Sequence, residues 1–226
     1  GADVNKVVVN GVTPLFIAAG AGHVEAVRVL MEEGADINKV ADDGATPLYM
    51  AVQVGHEVVL RALIEADADI NKATDDGSTP LIKAAEKGHK AVVRALIEAD
   101  VDINKAKDDG GTALGIAAQW GHKEVVRVLI EAGADANKVA DYGVTPLYMA
   151  AQEGHEAVAR ALIEAGADVN KAIYNGVTPL HIAAQPGHHA VVRAPLSAGA
   201  VNAMQIYGTQ LLEKTTTASP WPPFSH

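Results

Sequence analysis

The side chains with most chemistry to offer in this 226-residue chain are its histidines. Six of them recur at a fixed interval of 33 residues, His23, His56, His89, His122, His155 and His188, and a Gly precedes each one. Imidazoles in such a pattern suggest zinc ligands or general bases. One ring per repeating unit is too sparse to converge on a single ion, and the adjacent His188 and His189 would face different ways on a helix. A structural role is therefore expected. A second ladder, Arg28, Arg61, Arg94, Arg127, Arg160 and Arg193, suggests an anion-binding stripe, but the first five have Glu four residues on. Those pairs read as a solvated helix face. Lys6, Lys39, Lys72, Lys105, Lys138 and Lys171 form a third ladder, with acidic residues in most of the neighbouring turns. No Ser-His-Asp arrangement, phosphate-cradling Gly loop or metal motif accompanies these ladders, so no catalytic residue, cofactor or metal site is expected.

Composition narrows the field further. A formal net charge of -10 argues against a nucleic-acid surface, which would concentrate Lys and Arg. Cysteine is absent, which removes disulfides and thiolate chemistry and fits either an intracellular, reducing environment or a chain engineered free of thiols. No apolar run reaches the roughly 18 residues that a membrane span needs. The chain opens at Gly1 in the middle of a repeating pattern, so any N-terminal targeting region is expected to lie outside it.

The elements that position these side chains follow from the period. Thr13, Thr46, Thr79, Thr112, Thr145 and Thr178 share the register of the histidines, as do Asn5, Asn38, Asn71, Asn104, Asn137 and Asn170. A fixed period of this length marks one supersecondary unit that cannot bury its apolar face alone and stacks on its neighbours. Thr13 is the expected N-cap of a short first helix, with Pro14 at the first helical position and Gly22 as breaker. The second helix starts near His23. In the fourth unit Val125, Val126, Leu129 and Ile130 form its apolar stripe, and Arg127 and Glu131 its wet face. Gly34, Gly133, Gly166 and Gly199 take the left-handed position after this helix, where two units place Asp67 and Asp100 at a conformational cost. Asp42-Asp43-Gly44, Asp75-Asp76-Gly77 and Asp108-Asp109-Gly110 are tight-turn signals for projecting hairpins.

The segment from Gly176 to His188, Gly-Val-Thr-Pro-Leu-His-Ile-Ala-Ala-Gln-Pro-Gly-His, resembles the ankyrin repeat in both signature and length. The resemblance covers about residues 1–202, with units of about 1–33, 34–66, 67–99, 100–132, 133–165 and 166–198. It implies an all-α solenoid of stacked helix-turn-helix units with projecting β-hairpin loops, acting as a non-catalytic protein-binding scaffold. It also implies that the His at the start of each second helix hydrogen-bonds the backbone of a neighbouring loop.

Departures from the pattern fall at the C-terminal end and in the centre. Pro195 replaces Leu30, Leu63, Leu96, Leu129 and Leu162, so the second helix of the sixth unit should be kinked or frayed. Residues 203–212 read as a degenerate half-repeat and 213–226 as a Pro- and aromatic-containing tail, vector-derived or native. Neither end supplies an obvious polar cap, so self-association through the ends or the tail is an open expectation. Leu211, Leu212, Trp221 or Phe224 would cover the last unit or dock on a neighbouring molecule. In the centre, Lys83 stands where other units have Ile17, Met50, Ile116, Met149 and Ile182, with its stem expected to snorkel out of the core in preference to facing an acidic partner. Gly115 replaces the signature His, which elsewhere becomes Phe16, Tyr49, Ile82 and Tyr148, and His181 alone keeps it.

Regular ladders cannot encode one particular partner, so irregular positions carry the candidates. In ankyrin families the partner lies along the hairpin tips and the concave face of the first helices. The matching positions here are Trp120, Tyr142, Tyr174, Lys87, Glu86, Gln119, Gln152, Glu153 and Asp109, all expected to be exposed. The sequence leaves open whether the array is instead consensus-like or engineered with no evolved partner, or an interaction segment of a larger protein.

Overall fold

The computed structural model of the chain describes residues 3–185, residue 188 and residues 190–193. Eleven α-helices are bounded within these residues, as five pairs and the first helix of a sixth, and residues 190–193 are helical as well. The pairs are α1 (Pro14–Gly20) with α2 (Val24–Glu32), α3 (Pro47–Val54) with α4 (Glu57–Glu65), and α5 (Pro80–Lys87) with α6 (Lys90–Glu98). Then follow α7 (Ala113–Gln119) with α8 (Lys123–Glu131), α9 (Pro146–Gln152) with α10 (Glu156–Glu164), and α11 (Pro179–Ala184). Odd-numbered helices stack in one row and even-numbered helices in a second, which makes a two-layer solenoid. The kink expected at Pro195, the position of Gly199, the half-repeat, the tail and the covering role of Leu211, Leu212, Trp221 or Phe224 lie outside the described residues.

Each inner helix begins where its Thr can cap it. Thr13 Oγ1 accepts the Phe16 N–H at 3.1 Å, and the bond recurs from Thr46 to Tyr49 and from Thr145 to Tyr148, each at 3.1 Å. Pro follows the cap in every unit but the fourth, at a position whose N–H has no helical acceptor in any case. Such a cap contributes about 1 kcal/mol to each helix. Leu15, Leu48, Leu81, Leu114 and Leu147 then point into the layer between the rows and are fully buried, with Leu63, Leu96, Leu129 and Leu162 opposite them. Each such leucine contributes about 1.5–3 kcal/mol by leaving water, and Ala pairs such as Ala84–Ala85 and Ala117–Ala118 let the next inner helix approach closely. In the fourth unit Val125, Val126 and Leu129 are buried as expected, while Ile130 is only partly so and Val128 takes its place in the core.

The outer helices end as their last residues demand. Gly34, Gly133 and Gly166 have positive φ there, and Asp67 and Asp100 are forced to the same left-handed conformation at φ 62°. The hairpins depart from expectation: none contains a strand, and the only bridge pair among the described residues is Ala106 with Thr112. A single rung, such as Ala41 N–H to the Ala45 carbonyl at 2.9 Å, closes each turn before the chain enters the next helix. Two or three residues per arm are too few to sustain a ladder.

Candidate interaction surface

Two series of hydrogen bonds tie each unit to the next and fix where the loops stand. Asn5 Oδ1 accepts the Asp36 N–H at 2.8 Å, and Asn38, Asn71, Asn104 and Asn137 do the same for Asp69, Asp102, Asp135 and Asp168. The histidines supply the second series. His56, His89, His122 and His155 bring Nε2 to within 2.9–3.2 Å of the carbonyls of Gly20, Gln53, Glu86 and Gln119 in the preceding unit. A carbonyl can only accept, so Nε2 carries the proton and is not available to a metal. The glycine before each histidine belongs to the same contact. A Cβ on Gly88 would lie 2.7 Å from His122 Nδ1, and its φ of 71° is itself unfavourable for any other residue.

Above this seam the hairpin tips are joined directly. The Asp42 N–H reaches the Asn10 carbonyl at 2.9 Å, Asp75 reaches Asp43 at 3.0 Å, Asp141 reaches Asp109 at 2.8 Å and Tyr174 reaches Tyr142 at 3.0 Å. Within a tip, an acidic side chain closes its own turn. Asp109 Oδ1 accepts the Gly111 N–H at 2.8 Å, and its other oxygen lies 3.7 Å from Lys107 Nζ. Asp109, selected from the sequence as a contact residue, is exposed but already engaged within its hairpin. Asp76 is similar: hydrogen bonds from Thr74 and the Ser78 N–H, with Lys107 nearby, outweigh burial and hold its carboxyl below the usual range. Tyr142 cannot close its turn in this way and adopts φ 60°, followed by Gly143 at 82°. Tyr142 is 69% exposed and Tyr174 84%.

Below the tips, the concave face holds the remaining candidates. Trp120 caps the C-terminal end of α7 and is 55% exposed, while Gln119, Lys87 and Glu153 are exposed beside it or at the same level of neighbouring units. Two candidates are not exposed as expected: Glu86 and Gln152 are half-buried at the ends of their helices. Glu86 is drawn inward by two lysines, with Lys83 Nζ at 2.6 Å from one oxygen and Lys87 Nζ at 2.9 Å from the other. Burial opposes ionisation of Glu86, but these hydrogen bonds outweigh it and hold its carboxyl below the usual range. Trp120 and Tyr142 lie at opposite ends of the inner helices. A seven-residue helix is about 10 Å long, so the aromatic residues form a tyrosine pair at the tips and a separate tryptophan across the groove.

The position of Lys83 is not a core position. Ile17 is exposed, Met50, Ile116 and Met149 are half-buried, and only Ile182 is buried. Lys83 therefore lies along the concave surface, beside a bond that the sequence reading missed, from the Tyr49 hydroxyl to Ser78 Oγ at 3.3 Å. The signal was present, since Ser78 replaces Val12, Ala45, Gly111, Val144 and Val177 in the register. Val54, 43% exposed at the level of Lys87 and Trp120, was also missed. His181 does keep its bond, with Nδ1 2.7 Å from Thr178 Oγ1. The arginine pairing needs correction. Arg61 and Arg160 pair with the Glu four residues earlier, Glu57 and Glu156, and Arg61 also reaches Glu98 in the next unit at 2.8 Å. Among the described residues no group of His, Asp or Glu is arranged to hold a metal ion, and no helix is long and apolar enough to cross a membrane.

A family model described as ankyrin repeats in three copies matches the chain over residues 1–74, 60–140 and 132–205. The crystal structure of the human ASB11 ankyrin repeat domain superposes with a TM-score of 0.80 at 30% identity, over 88% of each chain. The chain thus belongs to the ankyrin-repeat family, whose repeats are generally protein–protein interaction modules without catalytic function. No curated protein matches it.

Proposed function

We propose that this chain is a non-catalytic scaffold that binds a protein partner across its hairpin tips and the concave face of its inner helices. The observation that carries this reading is the placement of Trp120, Tyr142 and Tyr174, three large aromatic side chains left more than half exposed on one side of the solenoid. Aromatic residues of this kind dominate the energetics of protein interfaces, because they bury much area at little cost in side-chain entropy. The opposite, outer-helix side instead carries ion pairs between units, such as Arg61–Glu98, whose exposed charges are individually weak contributors to affinity.

Photo-crosslinking tests the assignment. A benzophenone side chain at position 120, 142 or 174 should capture one and the same protein from a cell extract, and at Arg94 on the outer helices it should not. The double variant Trp120→Ala, Tyr142→Ala should lose that partner while keeping its helical circular dichroism. Capture from position 94 as readily as from the other three would refute the surface. Absence of any specific partner would favour an array without an evolved ligand.

A further inference from the structure

On the reading that the tips contact a protein partner, the described tips also indicate the chemistry of that partner. We propose that Tyr142 and Tyr174 form a platform for a cationic side chain, arginine in preference to lysine, presented by an extended basic segment of the partner. Tyr174 is the most exposed large apolar or aromatic residue described, and its ring is not adrift. A Cβ on Gly143 would meet ring atoms Cδ1 and Cε1 at 3.3 Å, so the ring is seated against the backbone of the preceding tip. Most of its surface remains open to solvent. The bond from the Tyr174 N–H to the Tyr142 carbonyl holds the backbone of the second tyrosine at the adjacent tip. Neither phenol hydroxyl has a hydrogen-bond partner among the described residues.

Charge selects the occupant. After Val9 and Asn10 in the first tip, the tip positions preceding this pair are Asp42, Asp43, Asp75, Asp76, Asp108, Asp109 and Asp141, and no tip position is Lys or Arg. Lys107 stands beside the row but is already shared between Asp76 and Asp109, at 3.6 and 3.7 Å. Lys138 and Lys171 sit at the hairpin roots, where their N–H groups bond the Asp135 and Asp168 carbonyls. The face of an aromatic ring is the negative pole of its quadrupole, so rings and carboxylates attract the same sign of charge. A carboxylate-bearing partner is repelled by both, and a proline-rich one gains nothing from the acidic row. A planar guanidinium stacks on a ring more effectively than an ammonium group does. Adjacent inner helices pack about 10 Å apart, close to the span of three extended residues. A basic residue at every third position therefore matches successive tips.

The test uses the full chain and a fluorescein-labelled glycine peptide with arginine at every third position, read by anisotropy. This peptide should bind more tightly than the same peptide with its arginines clustered at one end or replaced by lysine, and much more tightly than glutamine or proline versions. Added salt should weaken it. Tyr174→Leu should lower its affinity about threefold, the effect of one exposed cation–π contact, and Tyr174→Phe should not. Equal binding of the glutamine peptide, or full affinity in Tyr174→Leu, overturns the proposal. A crosslinked partner lost on Tyr174→Leu while the arginine peptide shows no binding overturns the cationic chemistry but leaves the tips as the protein-binding surface. A partner unaffected by any tip substitution overturns both.

Discussion

The seam at the ends of the inner helices and the row of hairpin tips run parallel along the same solenoid, yet they treat sequence in opposite ways. At the seam, His56, His89, His122 and His155 repeat one bond to one kind of acceptor in consecutive units. At the tips, backbone groups make most of the links between units, from Asp75 to Asp43 and equally from Tyr174 to Tyr142, with the Lys107–Asp76 ion pair besides. A side chain that carries the inter-unit bond cannot change without leaving a polar group unpaired. A side chain beside a backbone bond can, and the tips therefore hold Asp, Asn or Tyr within one architecture. Individuality accumulates where the backbone already provides the stacking.

The strongest way to break this contrast is Gly88→Ala. The added methyl meets the His122 ring and the residue is forced to remain at positive φ, so a loss of about 2–3 kcal/mol is expected in urea denaturation. A loss below half of that would show that the seam can yield. His122→Ala should cost about 1–2 kcal/mol, because the Glu86 carbonyl loses its donor and the ring leaves a gap beside Gly88. The same measurement on the tips should give the opposite sign. Tyr142→Gly relieves a left-handed tyrosine and should stabilise by up to about 1 kcal/mol, even as it weakens partner binding. Asp67→Gly and Asp100→Gly test the same strain away from any proposed contact, and each should raise the melting temperature in proportion to no more than about 1 kcal/mol.

The smallest effect belongs to the concave face. Glu86 has its pKa depressed in the folded protein, so its contribution is present above the unfolded carboxylate value and is lost as pH falls through the folded one. Lys83→Met removes one of its two partners. The stability difference between wild type and variant should then be found at neutral pH, within about 1 kcal/mol, and should shrink in acid. A difference independent of pH would assign the effect to packing of the methionine instead.

The amino-acid sequence by itself determined the unit, its caps and its stacking. Thr starts each inner helix, with Pro after it in all but the fourth, Gly follows the first five, and alternating small and large apolar residues bury the same face every 33 residues, all of which are local or strictly periodic signals. It also fixed the strained turns at Asp67 and Asp100, since the register compares them with Gly at the same place. Only the tertiary structure decided which surface each departure from the register reaches. Glu86 turned inward because two lysines from its own helix converge on it, Asp109 was consumed by its own turn, and Trp120 was set a helix length away from the tyrosine pair. Those outcomes depend on which rotamer each side chain takes and on competition for the same hydrogen-bond donors and cations nearby, and neither quantity is written in the spacing of residues along the chain.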